Sequence, residues 1–173
     1  MGSGKSTLLR ILQSKNDSYE RVSLADPVKD VAHQYFSMNK NVKDRWLLQQ
    51  IGQSFRTIKP SVWVDLLHKR ANDYLNNKKI PVCDDVRFPN ELQSMKDKNW
   101  ILIRLKLPEK KQLARIKRTY GAGWESHWDY RFEESETSLD GINDDAFDFV
   151  FENTDLQKLE LLADEIINAS YES

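Results

Sequence analysis

Apolar residues along this chain switch repeatedly between two spacings. In some stretches they recur every three or four positions, as on one face of a helix. In others they form short continuous runs bounded by Gly, Pro, Asn or Asp, as in buried strands. Leu8, Leu9, Ile11 and Leu12 predict a helix over 6–13, and a short strand follows over 19–24. A helix over 27–36 comes next, with Asp26 as N-cap and Pro27 as its first helical residue. Longer helices are expected over 42–58 and, opened by Pro60, over 60–75. The pattern then predicts a strand over 80–83, a helix over 90–98, a strand over 100–107 and a helix over 109–119. Residues 120–140 are rich in Gly, Ser, Trp and acids and show no clear period, before a last strand over 147–151 and a helix over 156–169. Strands alternating with helices predict one α/β domain over 1–173, three layers around a parallel sheet, with no repeats and no low-complexity linker.

Composition narrows this modestly. Charged residues make up 31% of the 173 and the net charge is −1, so bulk charge does not suggest nucleic acid or a membrane surface as partner. The apolar run over 100–107 is broken by Arg104 and Lys106, so no segment spans a bilayer. No signal peptide is visible, and the single Cys83 can form no intramolecular disulfide, so a reducing cytoplasm is the expected setting. In a short apolar strand Cys83 reads as a small hydrophobe rather than a nucleophile. His33, His68 and His127 are far apart and lack ligand spacing, which argues against zinc.

The chemistry starts at Gly2-Ser3-Gly4-Lys5-Ser6-Thr7. This is the back half of the phosphate-binding pattern G-x-x-x-x-G-K-[ST], with a helical stripe directly behind it. Backbone N–H groups around Gly2 to Lys5 would cradle phosphate, the Lys5 ammonium would reach the β/γ-phosphates, and the Ser6 hydroxyl would face Mg²⁺. A flexible glycine-serine start is the competing reading, and the Leu8–Leu12 stripe weighs against it.

Two further groups qualify. The run Val82-Cys83-Asp84-Asp85-Val86-Arg87 ends a strand in carboxylates, at the sheet edge where open α/β folds bind ligands. Asp85 could complete a Mg²⁺ shell and Arg87 could clamp a phosphate, or the acids could cap the next helix while Arg87 pairs with Glu91. On the helix over 42–58, Arg45, Gln49, Gly52 and Arg56 fall within about 60° of one another. Leu47, Leu48, Ile51, Phe55 and Ile58 form the stripe expected to face the core. The polar face suits an anionic substrate or plain solvation, and on pattern alone solvation is the better reading. Trp124 and Trp128 read as packing aromatics more readily than as a base-stacking pair, and Asp144 and Asp145 as capping or solvating a turn.

Three segments resemble the tailed-phage deoxynucleoside monophosphate kinases, a branch of the P-loop kinases. They are the glycine loop with Ala25-Asp26-Pro27-Val28-Lys29-Asp30, then Leu48-Gln49-Gln50-Ile51-Gly52-Gln53 through Trp63-Val64, and Asp85-Val86-Arg87-Phe88-Pro89-Asn90-Glu91. The resemblance implies a P-loop NTPase fold with sheet order 2-3-1-4-5, substrate-binding helices over about 37–77 and a lid over about 108–140. It implies ATP and Mg²⁺ on Gly2, Ser3, Gly4, Lys5, Ser6 and Thr7, with Ser6 and Asp85 near the metal and Asn153 near the ATP base. The acceptor deoxynucleotide would meet Arg87, Asp26, Arg45, Gln49, Arg56 and Glu91, while Arg115, Arg118 and Arg131 serve the lid. For Arg115 and Arg118 surface solubility is the alternative.

Two departures accompany the resemblance. The family's first strand and first loop glycine would fall before residue 1, which would leave two strand edges to be covered by closure, by a second copy in a homodimer, or by aggregation. In the lid's His-x-Ser/Thr-Glu signature, Ser135 and Glu136 match but Glu133 stands in place of histidine. The expected reaction is phosphoryl transfer from ATP to a deoxynucleoside monophosphate, with the host cytoplasm as setting for a phage protein. The alternatives are another small-molecule kinase, of dephospho-coenzyme A or phosphomevalonate type, a nucleotide-binding protein without turnover, or a purely structural domain.

Overall fold

The structure is a computed structural model and describes residues 2–42, 44–129, 132, 137–153 and 155–172. They group into two compact units, Met1–Asp17 with Arg87–Ser173, and Ser18–Val86. Arg131 and the lid string Glu133, Ser135 and Glu136 lie outside the described residues.

In the Ser18–Val86 unit, strand β1 (Tyr19–Val22) pairs in parallel with β2 (Ile80–Cys83), Tyr19 opposite Ile80 and Val22 opposite Cys83. Parallel neighbours need a long crossover, and here it is made of α2 (Ala25–Phe36), α3 (Arg45–Ile58) and α4 (Val62–Asn76). Trp63, Leu67 and Ala71 recur every four residues and, with Val64, form the buried stripe of α4, which packs on both strands. The Trp63 indole N–H donates to the Gly52 carbonyl at 3.0 Å, and its ring stacks on Phe55 with centroids 5.2 Å apart.

Two expectations are corrected in this unit. α2 begins at Ala25 with Leu24 as N-cap, so Asp26 and Pro27 lie in the first turn instead of supplying cap and first residue. The cap comes from elsewhere in the chain, as described below. The core stripe expected on α3 runs out before the helix does: Ile51 is buried, whereas Ile58, in the last turn, is 84% exposed. α3 also starts later than the pattern suggests, at Arg45, because the Asp44 carboxylate accepts from the Leu47 N–H at 2.9 Å and fixes the N-terminus there.

The other unit holds α1 (Lys5–Lys15), α5 (Pro89–Asp97), β3 (Ile103–Lys106), α6 (Glu109–Tyr120), α7 (Trp124–Asp129), β4 (Phe149–Glu152) and α8 (Leu156–Glu172). β3 and β4 pair in parallel, Ile103 opposite Phe149. α1 buries Leu8, Leu9 and Leu12 and packs on α8, whose Leu159, Leu162, Ala163 and Ile166 are buried. Arg104 fastens the connection ahead of β4, donating to the carbonyls of Leu139 at 2.5 Å and Ile142 at 2.7 Å and to Asp144 at 3.0 Å. Asp144 also takes Lys106, so it pairs two cations instead of only capping a turn.

The stretch without period contains a 3-10 turn, Gly121–Gly123, and α7. Trp124 lies under the Lys117 ammonium, 4.2 Å from ring centroid to nitrogen, and Tyr120 stacks on His127. The architecture is α/β, mostly helical, with two short parallel sheets of two strands each. Among the described residues no helix is long and apolar enough to cross a membrane.

Candidate functional site

The glycine loop sits directly ahead of α1. Gly2 and Gly4 carry φ of +74° and +100°, and Ser3 between them is not among the positive-φ residues. Alternating hands over successive residues turn consecutive N–H groups toward one side and make an anion-binding concavity. Gly4 is the N-cap of α1, and its carbonyl accepts from Thr7 N–H at 3.0 Å and Leu8 N–H at 2.9 Å. Its N-cap residue, Gly4, has no side chain with which to close this end of the helix, and the first turn holds no acid. Lys5 and Ser6 are exposed, with the Lys5 ammonium 3.3 Å from Ser3 Oγ.

Asn153 and Arg115 meet the same loop from behind. Asn153 follows β4, is 2% exposed, and donates from Nδ2 to the Ser3 carbonyl at 2.6 Å. Arg115, on α6, donates to the Gly2 and Asn153 carbonyls, each at 3.2 Å. Two residues expected at the ATP base and in the lid are therefore both on the loop's backbone. Arg118 is exposed on α6.

Asp85 is the most heavily bonded of the expected site residues. Its Oδ2 accepts from Ser23 Oγ at 2.6 Å and from Ala25 N–H at 3.0 Å. Its Oδ1 accepts from Leu24 N–H at 3.0 Å and from the Cys83 thiol at 3.2 Å. Burial would push this carboxyl up, but the donors from Ser23, Leu24, Cys83 and Ala25 outweigh it and hold Asp85 below the ordinary aspartate value. The same geometry pushes the Cys83 thiol well up, through burial first and the Asp85 charge second, so Cys83 is no thiolate nucleophile. Asp85 caps α2 from 60 residues beyond Ala25.

Next to it, Arg21 bonds Asp84 at 2.9 Å and lies 3.6 Å from Asp26, which also takes Lys29 at 2.7 Å. Ser23, buried with 1% exposure, and Arg21 are the residues that sequence reasoning passed over. The carboxylates that fix them, Asp84 and Asp85, lie more than 60 residues away in the sequence.

Glu91 is 3% exposed and accepts the backbone N–H groups of Arg87 at 2.9 Å and Phe88 at 3.1 Å. It thus shapes the turn that presents Arg87, whose side chain is exposed. On α3, Arg45 and Gln49 are exposed, and the Arg56 guanidinium lies over Gly52, 3.3 Å from where a Cβ would stand. Among the described residues no group of three or more His, Cys, Asp or Glu side chains is placed to hold a metal ion. A magnesium ion carried on nucleotide phosphates needs only one or two protein ligands. The exposed Ser6 hydroxyl suits such a role, whereas both oxygens of Asp85 are engaged by donors of its own unit.

No protein-family model matches this chain, and no curated protein matches it.

Proposed function

We propose that this chain is a P-loop kinase that transfers the γ-phosphoryl group of ATP to a deoxynucleoside monophosphate. The observation that carries the reading is the Gly2–Ser3–Gly4 loop. It alternates in the sign of φ, runs straight into a helix whose N-cap is glycine, and is followed at once by Lys5 and Ser6. Strand pairing supports it as well. Numbered as in the family order 2-3-1-4-5, setting strand 1 aside leaves strand 2 beside 3 and strand 4 beside 5, both parallel, and these are the two pairs found.

In this reading the loop amides and Lys5 bind the β- and γ-phosphates, and Ser6 and Asp85 are the residues that would hold the nucleotide's Mg²⁺. The metal supplies charge neutralisation on the phosphates. Arg87 holds the acceptor phosphate, with Glu91 shaping its turn, and Asp26, Arg45, Gln49 and Arg56 serve the acceptor nucleotide. Arg118 serves the lid. No covalent enzyme intermediate is required, because an acceptor phosphate oxygen attacks in line and the protein contributes position and positive charge.

A coupled ADP-release assay with Mg-ATP and each of the four deoxynucleoside monophosphates tests the reading. The expected result is turnover with at least one of them. A second reading, nucleotide binding without turnover, draws on the saturation of Asp85 by four donors. It predicts ADP and ATP binding with no product. Absence of both binding and turnover contradicts both readings.

A further inference from the structure

We propose that Asn153 and Arg115 are positioning residues that set the conformation of the phosphate loop from behind. This rests on the kinase reading for the identity of the ligand, but its geometry stands separately. In a trans peptide the carbonyl of one residue and the N–H of the next point opposite ways. The Ser3 carbonyl is drawn inward by Asn153 Nδ2 at 2.6 Å and the Gly2 carbonyl by Arg115 at 3.2 Å. The N–H groups of Gly4 and Ser3 must therefore face the other way. The Gly4 carbonyl is committed to α1, so the Lys5 N–H continues the same run.

The clamp is itself anchored. The backbone N–H of Asn153 extends the sheet ladder to the Lys106 carbonyl at 2.8 Å, and the Asn153 carbonyl takes the second prong of Arg115 at 3.2 Å. Arg115 precedes Ile116, the buried residue of α6. Shape agrees with the bonding: a Cβ on Gly4 would lie 2.1 Å from Asn153 Nδ2, so Asn153 in this position requires glycine at 4. A guanidinium that bridges two backbone carbonyls acts on the loop's shape, and Arg115 is on this account no mobile lid arginine.

The test uses the whole chain and the variants Asn153→Ala and Arg115→Ala. Backbone ¹⁵N relaxation without nucleotide is expected to show the Ser3 and Gly4 order parameters falling from about 0.85 to below about 0.6 in Asn153→Ala. The β4 residue Phe151 should stay rigid, which certifies the fold. With substrates, the ATP KM should rise about tenfold, the equivalent of one good hydrogen bond, while kcat falls by less than about twofold. Asn153→Asp, which keeps the size but offers no donor to the Ser3 carbonyl, should behave like the alanine variant.

Unchanged loop order in both variants overturns the proposal, as does a fall in kcat with the ATP KM intact. If Asn153→Ala does not fold, Arg115→Ala carries the same measurements. If the wild-type chain binds no nucleotide, the kinase reading fails, and loop order alone decides the positioning claim.

Discussion

Two helix N-termini in this molecule solve the same problem in opposite ways. Every helix begins with backbone N–H groups that lack an intrahelical partner and together carry a partial positive charge. At α2 the chain supplies its own anion: Asp85 accepts from Leu24 and Ala25, and Ser23 accepts from Ala25 as well. At α1 the N-cap residue is Gly4, which has no side chain, and the first turn holds no acid, while Asn153 and Arg115 bind the carbonyl side of the preceding loop. The filled end is a structural joint. The end that begins on a glycine and holds no acid in its first turn is suited to an anion from outside, and that contrast is the physical basis for proposing phosphate at Gly2–Ser6 rather than at Leu24–Asp26.

Removing the internal anion has the largest expected effect. Asp85→Ala strips four donors of their acceptor and should destabilise the Ser18–Val86 unit by roughly 2–4 kcal/mol, read by urea denaturation. The same carboxylate predicts a pH dependence. Its folded value lies below the ordinary 3.8, so its contribution is complete above that value and is lost as pH falls through the lower folded one. Stability of the wild type should drop more steeply below about pH 4 than that of Asp85→Asn, and parallel curves would remove Asp85 from its role as cap.

At α1 the corresponding experiment leaves stability nearly untouched. Lys5→Ala removes an exposed cation and should lower turnover by about 10²-fold or more, with unfolding free energy changed by less than about 0.5 kcal/mol. Ser6→Asp makes the two helix starts alike. An internal carboxylate in the first turn should stabilise α1 by about 0.3–1 kcal/mol while weakening ADP binding at least about tenfold, checked by thermal melts and calorimetry. Tighter ADP binding in Ser6→Asp would break the comparison.

Much of this was legible in the sequence, and the failures share one cause. Helical stripes such as Leu8–Leu12 and the run over 80–83 signal local periodicity, and the elements formed where expected. The glycine loop was legible because its conformational demands are local. What could not be read is what depends on distant partners: Asp85 displacing Asp26 as the cap of α2, and Asn153 reaching Ser3 across 150 residues. Ile58 misled for a related reason, since periodicity identifies a face but not how far along the helix its neighbour covers it. Ile58→Lys should accordingly change stability by less than about 0.5 kcal/mol, the smallest effect expected.

The most direct test of the central claim is an NMR titration of the chain with Mg-ADP, following the backbone amides at both helix starts. The account predicts saturable shifts centred on Gly4, Lys5 and Ser6, with the Leu24 and Ala25 amides keeping their bonds to Asp85. Loop amides that stay unmoved at millimolar nucleotide, or shifts centred on Leu24 and Ala25, would contradict it.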